Sequence, residues 1–373
     1  MYKIQTHEEP RLPVVNLVSE TVDGCKGHGV HTAFVQTQNA LLRAGVEVRV
    51  NASERCDIVH IETMGLASLF QLLRARERAV VTAHIVPESL VGSFLLAPLW
   101  LPIGVAYMHA FYSLADEVLA VSPEVRDGLQ RMRLKVPVRV VPNAVDVARF
   151  RPQPGWREEI RARLGIAPGT FVAICAGQIQ PRKGVEAFIE TARSMPDVAF
   201  VWVGGMPFRR LTDRYGHMLD LVAGAPANCH FVGDATYAEM PKWYASADCL
   251  FFPSIQETFG LAIIEAAAAG LPLVLRDIGT YGPLFGDTYL GGDDSTFAAL
   301  ITRLRDDIVE QARYQDLSHS LASRFDTPRL AELLIAVYDE VLTRSEAERA
   351  RPARRLRPVL QWALGGRSGR RFG

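Results

Sequence analysis

The sequence carries no net charge, because 41 lysines and arginines balance 41 aspartates and glutamates. The chain as a whole therefore has no preferred sign of partner. Cysteine is scarce: there are five, without a CxxC pair or a histidine at zinc-ligand spacing. This scarcity argues against a disulfide framework or a zinc site and predicts reduced thiols in a reducing compartment. The first residues, MYKIQTHEEPRLP, lack an apolar stretch, so we expect no secretory signal.

What the chain does contain is enough apolar material for two hydrophobic cores. Its 373 residues are 49% hydrophobic and 22% charged, an ordinary globular composition that excludes disorder throughout. At roughly 100–200 residues per domain, the length predicts two domains. Cys175 and Cys249 stand in apolar runs, and we expect both to be small core residues.

Short apolar, β-branched runs alternate with helical stretches along the chain, a pattern typical of a parallel sheet covered by helices. One series begins with a strand over Leu12–Val18, and a second begins afresh at Phe171–Gly177. The predicted fold class is therefore α/β with two such domains. The predicted limits are an N-terminal domain 1–150, a linker 151–168 containing a helix over Trp156–Leu164, a second domain 169–327, a C-terminal helix 328–342 and a basic tail 343–373.

Two segments have an unusual distribution of charge. The stretch Ser89–Ala115 contains no Asp, Glu, Lys or Arg, and its length alone would admit a transmembrane helix. Two prolines and its place between strands of one domain argue against a span, which leaves a buried helix pair or a helix partly sunk into a bilayer face. From Arg344 to Gly373, nine arginines accompany only two acids. This tail points to an anionic surface, phospholipid or nucleic acid, unless it is merely a disordered basic terminus.

The loop Gly177–Gly184, GQIQPRKG, follows a predicted strand and opens a predicted helix. Backbone N–H groups and the cations of Arg182 and Lys183 converge there at a helix N-terminus, which predicts an anion site. Taken alone, the loop could equally be an ordinary solvated connection between strand and helix.

The segment Glu257–Glu265, ETFGLAIIE, places one glutamate in a loop after a strand and another about one turn into a helix that begins near Gly260. The absence of a side chain at Gly260 lets the backbone approach a phosphate at the helix N-terminus. The two carboxylates would then reach opposite ends of one nucleotide-diphosphate-sugar: Glu257 the sugar hydroxyls, and Glu265 the ribose. A purely structural Glu265 is disfavoured, because an acid within LAIIEAAAAGLPLVL is costly unless it has a partner.

These two motifs, the segment VVPNAVD before the linker and the tripeptide FVG together resemble glycosyltransferase family 4. The family consists of retaining enzymes with the GT-B fold, two Rossmann-like doubly wound domains facing a cleft. The resemblance covers nearly the whole chain and is strongest from Val138 to Gly279. Through RKGVEAFIETARSMPDVAFVWVGG and VLRDIGTYGPLF the chain is similar to bacterial α-monoglucosyldiacylglycerol synthases, which place a sugar on diacylglycerol at the cytoplasmic membrane face.

The resemblance implies roles for the matching positions of the second domain. Lys183 would neutralise the donor diphosphate, Glu257 would hold the sugar, and Glu265 would hold the ribose hydroxyls. Other positions implied to bind the donor are Phe259, Gly260 and Leu261, through backbone N–H groups at the sugar–phosphate junction, and Val232, near the base.

In the first domain, the resemblance implies that His84 lies near the reacting sugar and the acceptor. The glycine loop 24–29, with Gly27 and Gly29, would close on the diphosphate from the opposite side. Two positions depart from the family pattern. Gln178 stands where many members have arginine, and Arg182 is the candidate source of the second positive charge. Ala144 stands where members commonly have glycine, which we expect to alter only the hinge.

The sequence therefore predicts a metal-independent hexosyltransferase, with a UDP-sugar favoured over a GDP-sugar as donor and a membrane lipid such as diacylglycerol as acceptor. It predicts no cofactor beyond the nucleotide-sugar co-substrate, and no metal, because no DxD motif is present and the histidines do not cluster. An anionic membrane surface, and not nucleic acid, is the expected partner, with the enzyme peripheral on the inner face of the cell membrane. The alternatives are a soluble family 4 enzyme acting on a polysaccharide or small molecule and an inactive GT-B binding protein. A Rossmann dehydrogenase is disfavoured, because DGCKGHG lacks GxGxxG.

Overall fold

The computed structural model describes residues 11–21, 29–87, 97–206 and 214–344. Within these ranges the chain forms two six-stranded sheets, and every strand pairs in parallel with its neighbours. The first sheet consists of β1 (Val15–Val18), β2 (Val48–Val50), β3 (Ile58–Ile61), β4 (Arg78–Ala83), β5 (Glu117–Ala120) and β6 (Val138–Val140). The second consists of β7 (Phe171–Ala176), β8 (Val198–Val203), β9 (Cys229–Phe231), β10 (Cys249–Phe252), β11 (Leu273–Arg276) and β12 (Leu290–Gly292).

Helices connect the strands, as parallel pairing requires. Those of the first half are α1 (Gly29–Arg43), α2 (Leu66–Arg74), α3 (Ala97–Tyr112), α4 (Pro123–Arg131), α5 (Val147–Phe150) and α6 (Trp156–Leu164). Those that follow are α7 (Val185–Ser194), α8 (Tyr215–Ala223), α9 (Met240–Ala245), α10 (Leu261–Ala268), α11 (Tyr281–Phe285), α12 (Phe297–Asp306), α13 (Ile308–Arg324) and α14 (Thr327–Thr343).

The central strands of the second sheet are continuous apolar runs in the sequence because both of their faces are buried. All six residues of β8, VAFVWV, are buried, because helices cover both faces of the sheet. Helix α7 instead buries Val185, Phe188, Ile189 and Ala192, the spacing of a single helical face. Cys175 and Cys249 are buried in this core as free thiols, as expected from their apolar surroundings.

The C-terminal helix α14 crosses back and packs on the first sheet. Leu330, Leu334 and Val337 join Val15 and Leu41 in one buried cluster, so α14 lies against α1 and the strands beside it. The backbone N–H of Val145 donates to the carbonyl of Phe325 at 2.9 Å, which ties the crossing point to the end of the first sheet. The last helix of the described residues therefore completes the core of the first half.

Helix α6, inside the predicted linker, has the predicted limits and is anchored on the second sheet. The buried guanidinium of Arg161 lies 2.7 Å from the carboxylate of Asp248, at the start of β10. The predicted domain limits stay predictions. Of the uncharged stretch 89–115, residues 89–96 lie outside the described residues, and the remainder contains α3, sixteen residues long with Pro102 inside it. In the described part of the chain, no helix combines the length and apolar character that crossing a membrane requires.

Candidate active site

The order of strands in the second sheet, β12-β11-β10-β7-β8-β9, places the predicted donor loops side by side. From β7 the chain proceeds outward through β8 and β9, and from β10 it proceeds in the opposite direction through β11 and β12. The loops after β7 and β10 consequently diverge, and a crevice opens between them at the carboxyl ends of the strands. Ligands of open α/β sheets bind at such a switch point. The loop that carries Lys183 follows β7, and the loop that carries Glu257 follows β10.

A close backbone contact holds these two loops together. After β7, Pro181–Lys183 forms a 3₁₀ turn, and Gly184 then begins α7 with a φ of 73°. A Cβ at Gly184 would lie 2.2 Å from the carbonyl oxygen of Pro253, so only glycine fits there. Beside this contact, the N–H of Ile255 donates to the carbonyl of Arg182 at 2.8 Å. Gly184 thus allows the two loops to approach closely enough for Arg182 and Lys183 to lie beside Glu257.

Lys183 and Glu257 form a largely buried ion pair across the two loops. The ammonium group of Lys183 donates to Oε1 of Glu257, which also accepts a hydrogen bond of 2.7 Å from the hydroxyl of Ser254. The guanidinium of Arg182 lies 4.0 Å from the same oxygen. Burial acts to raise the pKa of Glu257, but the charges of Lys183 and Arg182 and the hydrogen bonds hold it below its ordinary value. The crevice therefore contains an ionised carboxylate beside two cations.

Gln178 connects to this cluster through Gln180. The amide of Gln180 donates to Oε1 of Gln178 at 3.0 Å and accepts a bond of 3.1 Å from Nε of Arg182. A further nitrogen of Arg182 donates to the carbonyl of Gln256 at 3.3 Å. Arg182 is thus held beside Lys183, and its role in place of the family's arginine at position 178 stays a prediction. The buried Gln180 was not among the predicted site residues.

The motif Glu257–Glu265 folds as the sequence predicts, and the structure divides its residues between cleft and core. Gly260 has a φ of 89° and begins α10. The side chain of Phe259 is buried against Phe325, with ring centroids 5.5 Å apart, so only its backbone can face a ligand. Leu261 is the first residue of α10, and the partial positive charge of the helix N-terminus lies here.

Glu265 is buried on α10 and has the partner that its apolar surroundings demand. The hydroxyl of Tyr244 donates to Oε2 of Glu265 at 2.9 Å. Burial raises the pKa of Glu265 to about 7, although the bond from Tyr244 and the charge of Arg149 act to lower it. Near physiological pH this carboxyl is therefore poised between its protonated and ionised forms.

Val232 directly follows β9, at the same edge of the sheet. Its backbone N–H donates to the carbonyl of Trp202 at 3.0 Å, and the next residue, Gly233, accepts a 2.8 Å bond from the N–H of Gly204. β9 lies two strands from β7, on the side away from β10. The role of Val232 near the base stays a prediction.

The first sheet has its own switch point, between β1 and β3, and presents His84 directly after β4. Nε2 of His84 lies 2.7 Å from the carboxylate of Glu62, which follows β3 and is buried. Gly29 begins α1, whereas Gly27 and most of the predicted glycine loop lie outside the described residues. Glu62 was not predicted from the sequence, although it stands two residues beyond His60 at a strand end.

The two halves face each other at Glu257. Val86, two residues after His84, and Glu124, in the first turn of α4, line a cavity together with Gln256, Glu257 and Thr258. Across this contact Glu124 accepts a hydrogen bond from Thr280, whose hydroxyl also lies 3.0 Å from the backbone carbonyl of Glu257. The segment that follows His84 therefore lies opposite the carboxylate expected to hold the sugar.

Comparison with known proteins identifies the family of the chain that forms this cleft. A family model described as glycosyl transferases group 1 matches residues 156–313, and one described as glycosyltransferase family 4 matches residues 48–149. An α-galactosylglucosyldiacylglycerol synthase of Streptococcus pneumoniae is 30% identical over 285 residues, covering 74% of this chain and 75% of that protein. The chain belongs to glycosyltransferase family 4. A processive diacylglycerol α-glucosyltransferase of Acholeplasma laidlawii is 26% identical to this glycosyltransferase over 333 residues, covering 88% of the chain and 98% of the relative.

Solved structures show the same fold at low sequence identity. The Anabaena protein HepE in complex with UDP-glucose has a TM-score of 0.70 at 17% identity, over 88% of this chain and 100% of that one. A sucrose-phosphate synthase of Thermosynechococcus elongatus has a TM-score of 0.71 at 18% identity, over 89% and 99% of the two chains. The predicted α/β fold of GT-B type and the predicted family are confirmed.

An exposed apolar surface of this glycosyltransferase, absent from the sequence predictions, lies on the first half. Leu66 and Phe70, here called the α2 face, are 80% and 54% exposed, and Ile103 of α3 is 75% exposed. The hydroxyl of Tyr107 on α3 donates to the carbonyl of Gly65 at 3.1 Å, so the two helices adjoin. Large side chains exposed on adjoining helices are typical of an interaction surface. From residue 345 onward, the basic tail lies outside the described residues.

The described residues contain no group of three or more His, Cys, Asp or Glu side chains that could hold a metal ion. Arg182, Lys183 and Glu257 are in mutual contact, while Glu265 lies farther along α10. His84 belongs to the opposite half. The predicted roles of these residues in binding and transfer stay predictions.

Proposed function

We propose that this glycosyltransferase is a retaining, metal-independent hexosyltransferase that moves a sugar from a nucleotide-diphosphate donor, a UDP-sugar rather than a GDP-sugar, to diacylglycerol. The observation that carries the proposal is the pair of cations beside Glu257 at the switch point of the second sheet. The S. pneumoniae and A. laidlawii relatives are both named for glycolipid synthesis, which supports the class of acceptor. The HepE complex shows UDP-glucose on the same fold, which supports the donor.

The donor would span the crevice from Glu257 to Glu265. The diphosphate would bind at Lys183, Arg182 and the N-terminus of α10, where positive charge converges. The ionised carboxylate of Glu257 can only accept hydrogen bonds, which suits it to the sugar hydroxyls. When the bond between the sugar and the diphosphate breaks, negative charge develops on the leaving phosphate. Lys183 and Arg182 would stabilise that charge in a largely water-excluded site, where fixed cations are most effective.

The acceptor would approach from the first half. Val86, two residues after His84, lines a cavity together with Glu257, so an acceptor hydroxyl bound on that side would lie near the sugar. Retention requires this hydroxyl to reach the anomeric carbon on the face from which the diphosphate leaves. The new bond forms between that hydroxyl oxygen and the anomeric carbon, and the hydroxyl proton is released. Because the sugar keeps its anomeric configuration in a retaining enzyme, an α-linked donor would give an α-linked glycolipid.

Access to diacylglycerol requires contact with a membrane, which we propose occurs through the first half and the basic tail. The α2 face and Ile103 would enter the bilayer interface, and Arg74, whose guanidinium lies 4.0 Å from the ring centroid of Phe70, would meet anionic head groups. Arginines near an anionic surface contribute about 1 kcal/mol each. A peripheral position on the cytoplasmic face also fits the free thiols of the described cysteines.

The experiment is a transfer assay with a panel of UDP- and GDP-sugars and diacylglycerol in anionic vesicles, with and without a chelator. A glycolipid formed from one UDP-sugar in the presence of chelator, and abolished by Lys183→Ala and Glu257→Ala, would support the donor, the acceptor, the metal independence and the site. The control is Lys242→Ala, which removes an exposed lysine paired with Glu159 and should leave transfer unchanged.

Other outcomes separate the alternatives. Hydrolysis of the donor without a glycolipid product would overturn the lipid acceptor and favour a soluble family 4 enzyme. Donor binding with neither hydrolysis nor transfer would favour an inactive binding protein, as the substitution at Gln178 allows. Dependence on added divalent metal would contradict the metal-independent mechanism.

A further inference from the structure

A chain of buried polar side chains joins the C-terminal helix to His84. The hydroxyl of Tyr338 on α14 lies 2.6 Å from Nδ1 of His60. Nε2 of His60 lies 2.7 Å from Oγ1 of Thr82 and 3.7 Å from the carboxylate of Glu62. The other oxygen of Glu62 lies 2.7 Å from Nε2 of His84. Of these residues, Tyr338, His60 and Glu62 are almost completely buried.

The protonation states along this chain follow from burial and contact. Burial lowers the pKa of His60, so its ring is neutral and has one donor and one acceptor nitrogen. Burial raises the pKa of Tyr338 well above its ordinary value, so its hydroxyl keeps the proton. Burial would raise the pKa of Glu62, but the hydrogen bond from His84 and the electrostatic influence of the His60 and His84 rings lower it to about 2. Glu62 is therefore an ionised carboxylate that can only accept.

An ionised carboxylate between two imidazoles determines which ring nitrogens carry hydrogen. Nε2–H of His84 donates to Glu62, and Nε2–H of His60 points toward Thr82 and the same carboxylate. Tyr338 then donates to Nδ1 of His60. With Nε2 of His84 engaged, Nδ1 is the atom that the ring can present to a ligand, since the bond made by one nitrogen sets the role of the other.

We propose that Glu62 is a positioning residue for the transfer reaction: it fixes the ring orientation and tautomer of His84 at the cleft, and Tyr338 holds Glu62 in place through His60. The inference rests on the proposed function and deepens it. A buried carboxylate adds little net stability, because its desolvation offsets the attraction to its partners. The orientation that Glu62 imposes on a cleft residue accounts for a carboxylate buried beside β3.

Steady-state kinetics with UDP-glucose and diacylglycerol vesicles test the proposal. Glu62→Gln keeps the size of the side chain but loses the charge, and its amide can donate to His84. We expect kcat to fall about 10- to 100-fold, the range for loss of a group that orients a functional histidine, while the KM for UDP-glucose changes less than about threefold. Glu62→Asp should recover part of the loss. Tyr338→Phe, which removes only the hydroxyl, should lower kcat by a smaller factor.

The matched control is Asp57→Asn, which alters a carboxylate at the other end of β3. Asp57 accepts a hydrogen bond of 2.8 Å from the N–H of Val14, away from the cleft. Its loss should leave kcat unchanged even if it lowers the melting temperature. Should Glu62→Gln not fold, Glu62→Asp and Tyr338→Phe still test the proposal, because each should lower kcat and leave the KM for UDP-glucose nearly unchanged.

A second readout is independent of turnover. The ¹⁵N shifts of the His84 ring, assigned by their absence in His84→Gln, should report the Nε2–H tautomer in the wild type and a changed tautomer in Glu62→Gln. If the wild type has no transfer activity but Glu62→Gln still changes the tautomer of His84, the proposed function is wrong and the positioning of the His84 ring by Glu62 stands. Normal kcat and an unchanged His84 ring in Glu62→Gln would overturn the positioning role and leave the proposed function standing.

Discussion

Replacing Glu265 with glutamine should abolish a pH dependence of stability that the wild-type protein shows. Glu265 is buried on α10, and burial raises its pKa from an ordinary value of 4.5 to about 7. The native state therefore binds a proton between these two values that the unfolded state has released. Because the native state holds more protons in this window, the free energy of unfolding falls as the pH rises from 4.5 through 7. Glutamine cannot ionise and removes the effect.

The size of the effect follows from the shift. A difference of about 2.5 pKa units, at 1.36 kcal/mol per unit, corresponds to about 3 kcal/mol. Nearly all of it should be lost between about pH 4 and pH 8, and above that range the loss is constant. In a protein with a typical unfolding free energy of about 5–15 kcal/mol, such a change is easily measured.

The assay is urea unfolding of wild type and Glu265→Gln at a series of pH values, followed by tryptophan fluorescence. Other titrating groups contribute equally to both proteins and cancel in the difference. The control is Glu332→Gln, which alters an exposed carboxylate paired with Arg329 on α14. Parallel stability curves for wild type and Glu265→Gln would refute the assignment of a pKa near 7 to this carboxyl.

Three further predictions concern the donor site and the membrane surface. Tyr244→Phe removes a hydroxyl that lowers the pKa of Glu265, so more of the Glu265 carboxyl should be protonated at pH 7. Because the ionised carboxylate is the form proposed to accept the ribose hydroxyls, calorimetry at pH 7 should show about tenfold weaker UDP-glucose binding. Gly184→Ala should lower the free energy of unfolding by at least about 1–3 kcal/mol and reduce turnover. The control is Gly155→Ala, at a similar φ but with open space around it. Thermal unfolding of this control should show only the cost of the backbone strain. Serines in place of both residues of the α2 face should abolish sedimentation with anionic vesicles while donor hydrolysis persists; unchanged sedimentation would contradict the membrane role of this face.

Much of the fold was predictable because buried parallel strands appear in the sequence as short runs of apolar residues. The runs FVAICA and VAFVWV are apolar on both faces, and helices such as α7 bury a single face, so their limits followed from the pattern to within two residues. Helices α2 and α4 were not predicted. α4 has only a few buried apolar residues, and Ser122 begins it with a side-chain cap that precedes Pro123, a local signal that the sequence does contain.

The second-sheet site was predictable for a different reason. Arg182, Lys183 and Glu257 follow strand ends, and parallel strands bring their carboxyl ends to one edge of the sheet. What the sequence could not provide is contact between residues far apart in the chain. Tyr244 and Glu265 come together only once α9 and α10 pack, and Glu62 becomes significant only when β3 and β4 are adjacent. No local pattern distinguishes Glu62 from other polar residues at strand ends, or Tyr244 from other tyrosines in helices.

The return of α14 to the first half was equally invisible in its own sequence. An amphipathic run over 328–342 predicts a helix with one buried face, but the partner of that face depends on the tertiary fold. The structure places Tyr338 against His60 of the first sheet, 2.6 Å from its ring nitrogen. The contact that the proposed positioning of His84 requires is therefore made by residues nearly 280 positions apart.

The most direct test of the account is the anomeric configuration of the lipid product, followed by proton NMR as the enzyme transfers glucose from UDP-α-glucose to diacylglycerol. The account predicts an α-glycolipid from the first turnovers, formed by the wild type and reduced about 10²- to 10³-fold in Lys183→Met, in line with the loss of one fixed charge that stabilises a leaving group. A β-linked product, or an α-linked product formed equally well without Lys183, would contradict it.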